Sequence, residues 1–402
     1  MVELIYTYIL ADASKSFKKT DFMEMVKDYS KYLGLRPGLK NSLVEAMSAI
    51  APKVRAPASS LGDCKANGIV DPGFTVMQAY YFGRHYMKAI IYHRCGGPEV
   101  MQLGDLPVPV PKSGQVLVRV RAASVNPVDL KMRAVLARFA TRPGWPKQMG
   151  IDFAGIVEKS GPGVTGLNEG DHVFGWADFK TTGSFSEYVT ASAELTVNMP
   201  DNVSFEGAAC FGIAGNTVLK AFYEKGDLQP GMEILVNGCM GGVGHIAVRI
   251  AKAQGARVTG FCGDYDMEAA KQLGCDEVYD YRTTGLKDTG QSFDMILDTP
   301  GVLSFFKSLP FLKSGGLFIH LIPTPGMVGA ILASLFIRKS YTVFNTLATR
   351  NRMLRLADLA AEGILKPVVG KTIPLENAVA GITALERGEK VTGKTVIVMN
   401  GD

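Results

Sequence analysis

The sequence predicts an α/β protein of two domains: a small, mostly β domain, then one in which helices alternate with the strands of a parallel sheet. Three observations carry this. Short β-rich runs divided by proline turns fill the chain from residue 87. Beyond Ala208 strand-like and helical runs alternate. One apolar strand then runs into closely spaced glycines and a helix. At 402 residues the chain is also too long for one ordinary core, so two domains plus an extra segment are expected.

Residues 1–86 form an N-terminal extension of unknown role. Pro57, Gly62, Gly68, Pro72 and Gly73 break up its second half, while Phe22, Met25, Val26, Tyr29 and Tyr32 stand near helical spacing and predict an amphipathic helix. Its acidic residues Glu3, Asp12, Asp21, Glu24 and Asp28 fit a transit peptide poorly. Strands are predicted at 88–92 and 116–122, with proline-rich turns at 107–111 between them. In the second domain the expected strands are 233–236, 257–262, 277–281, 293–298 and 317–321. The apolar stretch 326–337 falls short of the roughly 20 residues of a membrane span and ends in Arg338 and Lys339, so it is expected to be a packed helix. A helix at 351–362 and a final strand at 394–399 close the chain. That strand either extends the parallel sheet or returns to the first domain.

Hydrophobic residues at 47%, charged residues at 20% and 45 glycines describe a well-packed globular protein. The net charge of +5 is spread along the chain without a dense lysine or arginine run, which argues against a nucleic-acid partner. Six cysteines (Cys64, Cys95, Cys210, Cys239, Cys262, Cys275) lie far apart with no CxxC pair, so reduced thiols are expected. With no convincing signal segment, this places the protein in the cytoplasm, organellar targeting by residues 1–86 being left open.

The sharpest local signal is Ile234-Leu235-Val236-Asn237-Gly238-Cys239-Met240-Gly241-Gly242-Val243-Gly244. Glycines permit a sharp turn and close backbone approach to a pyrophosphate, and the N–H groups at the next helix N-terminus bind the anion. A tight turn required for packing alone is the competing reading. Val243, Ile246, Ala247, Ile250 and Ala251 then follow at core spacing. Asp264, after the second strand, is a candidate partner of a ribose hydroxyl or an ordinary turn residue.

Three further segments, Ser124-Val125-Asn126-Pro127-Val128-Asp129-Leu130-Lys131, Gly150-Ile151-Asp152-Phe153-Ala154-Gly155 and Gly183-Ser184-Phe185-Ser186-Glu187-Tyr188-Val189, stand in order before that turn. With residues 208–217, Val278-Tyr279-Asp280-Tyr281 and Gly393-Lys394-Thr395-Val396-Ile397, the chain from 87 to 399 resembles the quinone-oxidoreductase, zeta-crystallin-like branch of the zinc-free medium-chain dehydrogenases/reductases. The resemblance implies a GroES-like β-rich catalytic domain (87–207), a Rossmann doubly wound parallel-sheet domain (208–340) and a C-terminal segment (341–402) that completes the first. It implies that Asn126 faces the nicotinamide or substrate, and that Asp129 and Lys131 support its loop. A structural Asp129–Lys131 salt bridge is the alternative. Gly238, Gly241, Gly242, Val243, Gly244 and Thr217 belong to the expected cofactor site, and a homodimer through the Rossmann sheet edge is expected.

Zinc-dependent relatives place a cysteine where this chain has Asn126, and a His-Glu pair at Ile151-Asp152. No cysteine quartet is present for a structural zinc, and His172 and His245 are isolated, so no metal is expected. Without a Lewis acid, alcohol oxidation gives way to reduction of an activated acceptor, a quinone or the β-carbon of an α,β-unsaturated ketone or aldehyde. The absence of tyrosine at 131–140 counts against an acyl-thioester substrate. Residues 133–148 and 323–340 are expected to line the substrate pocket. Tyr281 matches the tyrosine beside the adenosine 2′-phosphate in NADPH-using relatives and Arg282 adds charge, whereas Asp264 repels that phosphate. NADPH is therefore the expected cofactor, with NADH as the alternative. The chain departs from the family at Cys239-Met240, where Ala-Ser is usual, at Ala134-Val135, where glycine is common, and at Gly263-Asp264-Tyr265, in place of a Ser-Thr-Arg-like phosphate reader. Competing readings are a zinc-type alcohol dehydrogenase and a non-catalytic nucleotide-binding structural protein.

Overall fold

A computed structural model describes residues 86–136, 146–178, 182–324 and 326–399. The helix expected near residues 22–32 and most of the segment 133–148 lie outside them.

The first domain follows from strands whose alternate side chains are apolar. In β3 (Gln115–Ser124), after β1 (Tyr86–Tyr92) and β2 (Met101–Pro107), Val116, Val118 and Val120 point into one core. After β4 (Lys147–Gln148) come β5 (Asp152–Ser160), β6 (His172–Ala177) and β7 (Tyr188–Asn198). β3, β5, β6 and β7 pair in that order, and β7 returns to pair with β3, so the sheet closes on itself around Val116, Val118, Phe153, Phe185 and Val189. β1, β2 and β4 form a separate three-stranded sheet against this barrel.

The second domain holds β8 (Glu233–Asn237), β9 (Arg257–Cys262), β10 (Glu277–Asp280), β11 (Phe293–Asp298), β12 (Leu312–His320) and β13 (Ser340–Val343). All pair in parallel in the order β10-β9-β8-β11-β12-β13. The order reverses between β8 and β11, and at such a switch point loops part to leave a crevice for ligand. Both faces are covered, which is why these strands are near-continuous apolar runs. Helix α1 (Gly244–Ala253) buries Ile246, Ala247, Ile250 and Ala251 on one face and leaves Lys252 partly exposed, bonded to Asp276. The sheet ends at Val343, just past the boundary expected at 340.

The closing strand β15 (Lys394–Val398) pairs antiparallel with β3 and parallel with β14 (Val369–Pro374), so the chain returns to the first domain. β12 begins at Leu312, five residues before its expected start; Lys313-Ser314-Gly315-Gly316 carries no apolar alternation, and Gly315 takes φ +84°, so the sequence pattern does not reveal this part of the strand.

One expectation is overturned. The apolar stretch 326–337 forms α2 (Met327–Ser334), but it is not packed all round: Met327 and Ala330 are buried, while Val328, Leu332, Leu335 and Phe336 are exposed, Phe336 at 86%. The helix lies against β13, at the end of the sheet, so only one side finds a neighbour. No helix among the described residues is long and apolar enough to cross a membrane.

Candidate active site

The glycine turn stands at the carboxyl end of β8. Gly238 takes φ +77°, a conformation costly for any side chain, and its N–H, like that of Cys239, donates to the Phe261 carbonyl at 2.8 and 3.1 Å. A Cβ on Gly244 would collide with the Gly238 carbonyl oxygen, and one on Gly242 would stand 2.9 Å from Cδ of Lys394. Val243 immediately precedes α1. His245, buried in the first turn, lies 2.8 Å by its Nδ1 from the Gly241 carbonyl oxygen. Burial lowers its pKa to about 4, so it stays neutral. The turn is a bare backbone cradle at a helix N-terminus, which fits a dinucleotide pyrophosphate.

Beneath the switch point the side chains Asn237, Asp298, His320 and Tyr341 form a buried chain. Asn237 Nδ2 donates to Asp298 Oδ1 at 2.8 Å, His320 Nε2 lies 3.0 Å from Asp298 Oδ2, and His320 Nδ1 lies 2.9 Å from the Tyr341 hydroxyl. This chain locks β8, β11, β12 and β13 together at the edge of the crevice. Sequence reasoning missed it, since its members share no local spacing.

Facing the turn is the asparagine loop. Asn126 precedes the short helix Pro127–Lys131 and is buried, 3% exposed. Its amide hydrogens go to the Ser124 carbonyl (3.1 Å) and Asp152 Oδ2 (3.0 Å), and its Oδ1 accepts from Lys394 Nζ at 2.5 Å. Ser124 Oγ (3.2 Å) and the Ile213 N–H (2.8 Å) also donate to Asp152. Gly212 makes the last contact feasible, because a Cβ there would collide with Asp152 Oδ1. Asn126 therefore spends both amide hydrogens inside the protein and holds its loop in place. The expectation that it faces nicotinamide or substrate finds no free donor on this side chain.

Asp129 is buried too, and its Oδ2 accepts the Asn126 backbone N–H at 2.8 Å, while Oδ1 has no partner among the described residues. Burial and the neighbouring Asp152 push its carboxyl up to about 8. Asp152 is raised to about 6 by the same burial, with Lys394 and the Asn126 amide pulling it back. No ion pair links Asp129 to Lys131. Lys131 is only half-buried, and desolvation lowers its pKa.

Just past β10, Tyr281 is 48% exposed. Arg282 is held by two carboxylates, Asp264 at 2.5 Å and Asp280 at 2.8 Å. Thr217 donates to the Ile213 carbonyl at 2.7 Å and meets Thr346 at 3.2 Å. Cys210, Cys239, Cys262 and Cys275 are buried thiols, and Cys64 lies outside the described residues. Far apart in sequence, Cys239 and Cys275 both place Sγ 2.8 Å from where Gly260 would carry a Cβ, and Cys262 joins them beneath the turn. Among the described residues no group of three or more His, Cys, Asp or Glu is arranged to hold a metal.

Two families match: the alcohol dehydrogenase GroES-like domain over residues 112–201 and the zinc-binding dehydrogenases over 273–397. The chain is 29% identical to the quinone oxidoreductase of Homo sapiens over 331 residues, 79% of this chain and 99% of that protein. It is 32% identical to the 2-methylene-furan-3-one reductase of Solanum lycopersicum over 323 residues, 77% of this chain and 79% of that one. Among solved structures, the Escherichia coli quinone oxidoreductase complexed with NADPH superposes with a TM-score of 0.68 at 26% identity, covering 77% of this chain and 99% of that one.

Proposed function

Because the chain belongs to the quinone-oxidoreductase branch of the medium-chain dehydrogenases/reductases and is an NAD(P)H-type oxidoreductase, we propose that it reduces quinones or α,β-unsaturated ketones and aldehydes without zinc, using NADPH. One observation carries the zinc-free part: the side chains at the two metal-loop positions, Asn126 and Asp152, spend their polar atoms on each other and on Ser124, Ile213 and Lys394. That donor set offers no thiolate or imidazole to a zinc ion.

When bound, reduced nicotinamide supplies a hydride for the acceptor carbon or quinone ring. The protein's part is positioning. The bare turn at Gly238, Gly241, Gly242, Val243 and Gly244 fits the pyrophosphate, with Thr217 kept as a cofactor residue on the family resemblance and Tyr281 and Arg282 at the 2′-phosphate end. Arg282 must exchange Asp264 and Asp280 for that phosphate, so the preference for NADPH over NADH is small in this reading. Asn126, Asp129 and Lys131 shape the opposite wall of the cleft, Asn126 through its loop rather than by direct contact. Water supplies the proton for the developing enolate.

We also propose that the protein is cytoplasmic and a homodimer, a second copy covering the apolar face of α2 and the outer edge of β13, which among the described residues pairs on one side only.

The test is the loss of nicotinamide absorbance with NADPH or NADH against enones, enals, quinones and simple ketones, with and without a chelator. Chelator-resistant turnover of enones or quinones is expected. Chelator-sensitive turnover of alcohols would return the zinc-type reading, and nucleotide binding without turnover the non-catalytic one.

A further inference from the structure

Lys394 is an unusual residue to find inside this protein: a lysine 3% exposed, at the first position of β15, with no carboxylate in direct contact among the described residues. A buried ammonium is costly, so its surroundings must compensate. Two acceptors hold its Nζ, Asn126 Oδ1 at 2.5 Å and the Val125 carbonyl at 3.1 Å, both in the asparagine loop. The counter-charge stands one amide away, since the Asn126 side chain that accepts from Lys394 also donates to Asp152.

The rest of the same residue touches the other domain. The Lys394 stem runs past the glycine turn, with Cδ 2.9 Å from where Gly242 would carry a Cβ, and the neighbouring Gly393 N–H donates to the Met240 carbonyl at 2.7 Å. β15 itself is a strand of the catalytic sheet, bonded to β3. A two-residue step of the first domain therefore reaches across the cleft, braces the turn that receives the cofactor and grips the loop that forms the opposite wall. Glycine at 242 leaves room for that stem, a packing reason distinct from pyrophosphate approach.

We propose that Lys394 is a positioning residue that couples the glycine turn to the asparagine loop, so that filling the cofactor site orders the substrate wall. The proposal rests on the oxidoreductase reading for its purpose, but the coupling is a property of the chain and is measurable without turnover. A merely structural lysine would lower the melting temperature and leave the two sides of the cleft independent.

Amide hydrogen exchange of the full-length protein, with and without NADPH, tests it. In the wild type, nucleotide should slow exchange about tenfold both at residues 238–245 and at 124–131. In Lys394→Met the slowing should persist at the turn and vanish at the loop, and Lys394→Arg should restore it. Lys394→Gln, polar but neutral and shorter, takes the place of Lys394→Met if that variant does not fold. Turnover adds a second readout: kcat about 100-fold lower in Lys394→Met with KM within about threefold, a loss confined to the chemical step. Loop protection that survives Lys394→Met, or is absent from the wild type, would overturn the proposal. So would loss of nucleotide binding itself, which would make Lys394 a cofactor ligand. A wild type that turns over no acceptor sinks the function above and leaves the exchange result standing.

Discussion

Asp129 and Asp152 are two carboxyls within one buried site, served by a single ammonium at Lys394. Both are raised from an ordinary 3.8, Asp152 to about 6 and Asp129 to about 8, because burial penalises their charged forms. An acid whose pKa is higher folded than unfolded binds its proton more tightly in the native state. Its stabilising effect is complete below the unfolded value and is lost as pH rises through the folded one. Stability should therefore fall between about pH 4 and about pH 8, in two steps, at fixed ionic strength. Asp129→Asn should flatten the upper step, as followed by urea midpoints across that range. An unchanged slope in the variant would mean that Asp129 is ionised in the native protein at neutral pH. Both residues stand in recognisable motifs, but the link from Lys394 through Asn126 to Asp152 was invisible in sequence, because it forms between loops near the start of one domain and the last strand of the chain.

At the scale of elements, α2 and β13 show how apolar composition and burial part company. The apolar stretch 326–337 predicts a packed helix, yet the sheet ends beneath it and leaves Leu332, Leu335 and Phe336 uncovered. Contiguous exposed apolar surface beside an unpaired strand edge marks a protein interface. Replacing Leu332 and Phe336 together by glutamate should halve the mass measured by light scattering. It should leave the monomer's melting temperature within a few degrees, since neither side chain is buried in one chain. A wild type that is monomeric at micromolar concentration removes the self-association reading. The turn, by contrast, was legible residue by residue: Gly238 and Gly244 are glycines because of a positive φ and a carbonyl contact, both local to the strand-turn-helix unit. Thr217 and Asp264 were not. Their roles depend on which groups the tertiary fold sets beside them, and Asp264 meets Arg282.

Across the whole molecule, the two domains share a core. Ala122, Ala154, Phe174 and Val396 of the catalytic sheet pack in one cluster with Ile246, Ala247, Val258 and Leu297 of the Rossmann domain. A seam made of core residues does not behave like a hinge on a linker, so the chain should melt in one calorimetric transition rather than two. NADPH should raise that single transition, by about 2.7 kcal/mol at a hundredfold excess over Kd. Two separable transitions, one of them insensitive to nucleotide, would show that the domains unfold independently. The sequence by itself determined the α/β class, the parallel sheet, the glycine turn and the family's loops, because each is written in spacing within a few dozen residues. The tertiary structure alone decided that Asn126 spends both amide hydrogens inside the protein, that Lys394 spans the cleft and that α2 is half bare. Each depends on contacts between residues far apart in the chain, and the period of a sequence carries no information about which distant segment will stand opposite it.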